Sequence, residues 1–169
     1  MAKNAAEVKM GYCDVSFDGQ DIGYTKGGTR VSYSVETVEI TADQEDAPIG
    51  EVVTKQNFEV TVPIEQYNLQ LLAKLIPGAT LVVDATDSTK MKLEIAGASG
   101  VNLLDLAKEL KIIPRGGDAN DQITVHHAVP IPKIEFAYEK DNVRVYEVTF
   151  KALKGTNGFV TFGDTTTTA

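Results

Sequence analysis

The sequence predicts a mainly β protein: two packed antiparallel sheets, a β-sandwich or barrel, with one flanking α-helix and a long projecting β-hairpin. Three observations carry this. Apolar and polar residues alternate with a period of two through most of the chain, the pattern of half-buried strands. Two of the alternating runs face each other across a short acidic segment, and each is about twice the usual strand length. Only one segment has clear helical spacing, with Leu69, Leu72, Ala73 and Ile76 at i, i+3, i+4 and i+7.

The elements follow in order. Cys13, Val15 and Phe17 alternate with Asp14 and Ser16, and residues 18–21 carry turn chemistry. Lys26-Gly27-Gly28 is a second break. In residues 29–41, Val31, Tyr33 and Val35 form the apolar set, and the phase then shifts to Val38 and Ile40. A one-residue shift inside a strand points to a β-bulge near Glu36-Thr37. After residues 42–50, Phe58, Val60, Val62 and Ile64 alternate with Asn57, Glu59 and Thr61. Asn68 is placed to cap the helix and Pro77-Gly78 to stop it. Short strands are expected over 80–83 and 90–96. Residues 102–111 read either as a short helix or as entry into a strand. A hairpin is expected from strands 133–138 and 143–153 across a turn at 139–142, with Ile134, Phe136, Tyr138, Tyr146, Val148, Phe150 and Ala152 inward. A last strand covers 159–162. The whole chain, 1–169, reads as a single domain, with an arm at 1–10, the projecting hairpin at 38–55 and a flexible tail at 165–169.

At 169 residues and 43% hydrophobic content, the chain can bury a core without disulfides or metals. The net charge of −8 argues against a protein that grips nucleic-acid phosphates or docks on anionic membranes. Cys13 is the sole cysteine, which excludes an intrachain disulfide and a multi-cysteine metal site. No apolar run reads as a signal peptide or a membrane span, so synthesis in a cytoplasm is expected.

Sites for chemistry are scarce. His126 and His127 are adjacent and, on a strand, point to opposite faces. Residues 97–100 lack the ending of a phosphate-binding loop. Asp84, Asp87 and Ser88 read as a solvated turn. No catalytic, metal-binding or cofactor-binding residue is expected, and the protein is not expected to be an enzyme.

Self-assembly is the alternative. A long two-stranded ribbon is marginal in water unless something completes it, and its edge offers unpaired N–H and C=O groups. Val38, Ile40, Asp43, Gln44, Glu45, Asp46, Ile49, Glu51, Val53 and Lys55 are the candidate inter-subunit hairpin residues. No Lys or Arg lies between Val31 and Thr54, so the tip reads either as a solvated loop that blunts a strand edge or as an acidic projection, with Lys108, Lys111 and Arg115 as candidate basic receivers. Ser32, Ser34, Glu36, Asn57, Glu59, Thr61, Glu147 and Thr149 form a small, polar, outward set. Such a face suits a wall in contact with water, either the outside of a monomer or the lining of a closed ring.

The order and spacing of several segments resemble the tube proteins of phage tails. They are GQDIGYTKGG at 19–28, Thr41-Ala42-Asp43-Gln44, the 63–79 helix segment ending in Leu75-Ile76-Pro77-Gly78-Ala79, and DLAKELKIIP at 105–114. Tyr138-Glu139-Lys140-Asp141-Asn142-Val143-Arg144, Phe150-Lys151-Ala152-Leu153 and Phe162-Gly163-Asp164 complete the series. The resemblance covers residues 11–164. It implies hexameric rings whose inner sheets join into one β-barrel, stacked into a tube as in the related inner tube of type VI secretion. It implies that residues 38–55 reach a neighbouring subunit or ring, and that the polar outward set lines a negatively charged lumen through which double-stranded DNA passes without specific binding. The implied location is the virion tail, after synthesis in a bacterial host, with tail sheath or other tail proteins as further partners and no membrane or cofactor. Another tail ring protein of related fold, from the baseplate or terminator, and a monomeric β-sandwich binding module are the alternatives.

Overall fold

The computed structural model describes residues 3, 8–156 and 158–167. The predicted arm at 1–10 and tail at 165–169 therefore lie partly outside the described residues. The chain is mainly β, with two antiparallel sheets and one α-helix. Among the described residues ten strands and the helix run in the order β1 (Cys13–Phe17), β2 (Gln20–Asp21), β3 (Arg30–Ile40), β4 (Gly50–Ile64), α1 (Leu69–Leu75), β5 (Ala79–Val83), β6 (Met91–Ile95), β7 (Lys108–Pro114), β8 (Ile123–Lys133), β9 (Tyr146–Ala152) and β10 (Val160–Phe162).

The large sheet has the order β2-β1-β7-β8-β9-β4-β3, with β10 joining β8 beside its start; β5 and β6 form the small sheet. The two sheets are thus unequal, and the packed layers come from the large sheet folding over on itself. In a flat sheet β1 and β9, three strands apart, would be separated by about 14 Å. Instead the rings of Phe17 on β1 and Phe150 on β9 lie 5.1 Å apart. β8 makes the corner: residues 123–125 lie between β7 and β10, and residues 128–133 pair with β9. Strands that change partners along their length turn sheets in this way. Among the described residues the sheet does not close into a barrel.

Inside the fold sit Phe17, Phe58, Val60, Val62, Ile64, Leu110, Val125, Tyr146, Val148 and Phe150, all buried. They come from alternate positions on each strand, as the period of two requires. Helix α1 closes one side with Leu71, Leu72 and Leu75. At one and a half to two turns it would not persist alone, so packing holds it in place. The Asn68 side chain caps it, accepting from the Gln70 N–H at 2.8 Å. Of the predicted helix face, Leu72 is buried and Leu69 and Ile76 pack half-buried against the core, while Leu71 and Leu75 add buried contacts that the spacing did not single out. Gly78, just past the helix, has φ 74°, and a Cβ there would lie 2.9 Å from the Gly97 carbonyl oxygen. Only glycine satisfies both conditions.

The ambiguous stretch holds both readings in turn, a 3₁₀ segment at Leu103–Leu106 and then β7. β8 contains Pro130 and Pro132, which hid it from periodicity. Both lie beyond Ala128, its last pairing with β7, where β8 is bonded on one side only and a missing N–H costs no ladder bond. The expected strands at 133–138 and 143–145 are not formed. β8 ends at Lys133, β9 begins at Tyr146, and residues 134–145 form a loop. Tyr146, Val148 and Phe150 point inward as expected, but Ile134 and Tyr138 are exposed. Aromatic side chains in that loop gather around Arg144 instead of extending the ladder.

Candidate assembly surface

The ribbon of β3 and β4 is built by register. Arg30 pairs with Thr61, Ser32 with Glu59, Ser34 with Asn57 and Glu36 with Lys55; Val38 then pairs with Val52 and Ile40 with Gly50. The ladder shifts between Glu36 and Thr37, where the sequence phase changes. Thr37 pairs with Val53, so the extra residue is Thr54 on β4, and its hydroxyl donates to the Glu36 carbonyl at 3.1 Å. β3 itself gains no residue. Its alternation runs on unbroken, and the apolar set therefore changes sides of the ribbon. Val31, Tyr33 and Val35 lie on the core side, whereas Val38 and Ile40, with Val52 opposite, lie on the outer side.

No residue of β3 is sheltered: Tyr33 is 55% exposed, Val38 56% and Ile40 46%. The far edge of β3 carries no strand partner among the described residues. At the tip the Ile49 N–H donates to the Ile40 carbonyl at 2.8 Å and the Glu45 N–H to the Ala42 carbonyl at 3.1 Å. Asp43, Gln44, Glu45 and Asp46 are exposed, and Glu51 accepts from the Thr37 hydroxyl.

The eight residues of the polar outward set fall on one face. β3, β4 and β9 align them laterally, because Glu59 pairs with both Ser32 and Lys151, and Thr61 with both Arg30 and Thr149. The Thr61 and Thr149 hydroxyls meet at 3.3 Å. Each acid on this face has a cation. Glu36 meets Lys55 at 3.2 Å, Glu59 meets Lys151 at 3.1 Å and Glu147 meets Arg30 at 3.0 Å. The Lys55 ammonium, helped by the Asn57 amide, holds the Glu36 carboxyl below the usual range. The face is therefore polar and charge-balanced rather than acidic. Sequence reasoning missed this, although Arg30, Lys55 and Lys151 occupy the same alternating phase as the acids.

Of the candidate basic receivers, Arg115 is already bound to Asp14, with Nε 2.8 Å from both carboxylate oxygens, and its guanidinium lies 5.3 Å from the Tyr12 ring. Lys111 pairs with Glu109 at 3.1 Å. Lys108 makes no ion pair among the described residues. A site that periodicity did not reveal lies at the other end of the ribbon. Arg144 stands 5.1 Å from the Tyr138 ring, 5.4 Å from Tyr67 and 5.6 Å from Phe136.

Elsewhere the polar groups serve structure. Asp84 accepts from Thr86 and from the Asp87 N–H, forming a turn. His126 Nε2 lies 2.8 Å from the Thr161 hydroxyl, while His127 packs against Gly155. Cys13 packs on the core edge as a free thiol. Among the described residues no group of three His, Cys, Asp or Glu side chains is placed to hold a metal ion, and no helix is long and apolar enough to cross a membrane. No family model matches the chain, and comparison with curated proteins finds no significant match.

Proposed function

We propose that the chain is a structural subunit of a phage tail tube, one copy of a hexameric ring that stacks with others into a conduit for double-stranded DNA. The observation that carries this reading is the β3–β4 ribbon. It projects a fully exposed edge strand of 11 residues, with apolar side chains on both of its sides, from a domain whose buried core includes no residue of that strand. An edge of that length is a liability in a monomer and an asset in a ring, where each ribbon is completed by its neighbour. The resemblance at 19–28, 63–79, 105–114 and 138–164 points the same way.

The polar face of β3, β4 and β9 is the wall assigned to the lumen. DNA binds proteins by exchanging counterions for lysine and arginine. On this wall Arg30, Lys55 and Lys151 are each engaged by a glutamate, so little free positive charge remains to hold a phosphate. Passage without adhesion then follows from neutralised cations as well as from the net charge of −8. The role is structural: it involves no chemical step and no cofactor, and places the protein in the virion tail, against sheath or other tail proteins on its outer side.

Negative-stain electron microscopy of the concentrated protein tests this directly. Rings and tubes are expected; single rings that never stack would indicate a terminator, and a monodisperse monomer at high concentration would overturn the reading. Deleting residues 42–50 should leave a folded domain that no longer forms tubes.

A further inference from the structure

We propose that the acidic hairpin tip of one copy docks on the Tyr67–Phe136–Tyr138–Arg144 cluster of a second copy, a head-to-tail contact that deepens the assembly reading above and rests on it. The receiving cluster is unusual in its surroundings. Arg144 is exposed, sits among three aromatic rings, and makes no ion pair among the described residues. A guanidinium beside aromatic faces keeps its N–H fork available for a carboxylate, and arginine and tyrosine are the residue types most often found at the energetic centre of protein interfaces. Lys26 lines the same hollow and also lacks an acid partner. Glu139, on that hollow's rim, is taken up by the Asn142 amide at 2.6 Å.

The ligand that fits such a cluster is an exposed carboxylate without a cation of its own. Asp43, Glu45 and Asp46 are of this kind: all three are exposed and none makes an ion pair among the described residues. The two groups cannot meet within one molecule. β4 runs from Gly50 beside the tip to Ile64, which pairs with Tyr146 next to the arginine cluster. Its 15 residues put about 45 Å of strand between them. A contact that uses opposite ends of identical molecules is heterologous, and it extends as a stack wherever its rotation does not close a ring. In a stacked tube it serves the axial direction of growth, distinct from the lateral contacts made along β3.

Charge reversal on each side tests the contact, read by sedimentation velocity and negative-stain microscopy of the full chain. Arg144→Glu should weaken stacking about tenfold or more, as should the triple change D43K/E45K/D46K. Combining both sets in one chain should restore it. The tip changes lie in an exposed turn, so they remain informative even if Arg144→Glu perturbs its loop. Stacking by the tip variant at wild-type protein concentration would overturn the proposal and leave the tube reading standing. A combined chain as weak as the single-sided variants would also overturn it. A wild-type chain that stays monomeric at every concentration would remove both.

Discussion

β4 is two different strands joined at Asn57. From Phe58 to Ile64 its alternate residues Phe58, Val60, Val62 and Ile64 are buried, between β9 on one side and β3 on the other. From Gly50 to Gln56 the same strand keeps a partner in β3, yet every residue after Gly50 is exposed. Both halves are extended, both alternate, and both pair with β3, the inner half as far as Thr61. What differs is whether a second layer lies over the apolar side. Backbone pairing alone contributes little net stability, because it replaces hydrogen bonds to water. The inner half is held by burial; the outer half has only its ladder, and it is where a second molecule can add the missing layer.

This contrast can be broken from either half. The largest effect is expected from Phe150→Ala, which removes a ring packed against Phe17 behind the inner half. It should cost about 3–5 kcal/mol by chemical denaturation. A cost no greater than that of an outer-ribbon substitution would mean that the layers are not packed as described. Next is Gly155→Ala. A Cβ at this position would fall 1.8 Å from the His127 ring, whose Nε2 is buried without a hydrogen-bond partner. Displacing the ring should destabilise by about 1–3 kcal/mol, visible as a lower Tm. The smallest effect is expected from Ile40→Ala on the outer half, less than about 0.5 kcal/mol on the isolated subunit. The same substitution should impair tube formation, and a large loss of subunit stability would show that the outer half is not the independent region described.

A fourth measurement sharpens the boundary through pH. Burial, with a smaller contribution from Tyr67, pushes the Tyr146 hydroxyl up to about 12. The folded state therefore holds that proton more tightly than the unfolded chain. The stability this supplies is complete below pH 10, the ordinary tyrosine value, and is lost as pH rises from there towards 12. Denaturant titrations should show this alkaline loss in the wild type and a shallower one in Tyr146→Phe. Equal slopes in the two proteins would mean that Tyr146 is not the titrating group.

Much of the fold was legible in the sequence, for stated reasons. Alternation located β1, β3, β4, β9 and β10, and the Asn68 cap and Pro77 bounded the helix to within a residue or two. The phase change at Glu36 marked the bulge, but the inserted residue is Thr54 on the opposite strand, because a mismatch in one strand can be relieved in its partner. β8 was not foreseen, since prolines argue for an edge and only part of β8 is one. The loop at 134–145 looked like a hairpin because its residues alternate. Periodicity reports which residues can share a face, and cannot report that Phe136 and Tyr138 stand beside the Arg144 guanidinium in a loop. For the assembly surface, the members of the polar face were readable, whereas its charge balance required the cross-strand register.

The prolines of β8 have one more consequence. Sheet proteins with two long open margins can propagate without limit in both directions, which is how insoluble fibrils begin. Here the large sheet ends in β2, two residues long, at one margin and in β3, eleven residues long, at the other. The one-sided stretch of β8 is sealed by Pro130 and Pro132. The long open margin of the large sheet is thus confined to one side, at β3. An unassembled subunit therefore offers less template for runaway strand addition than a sheet open along both margins would.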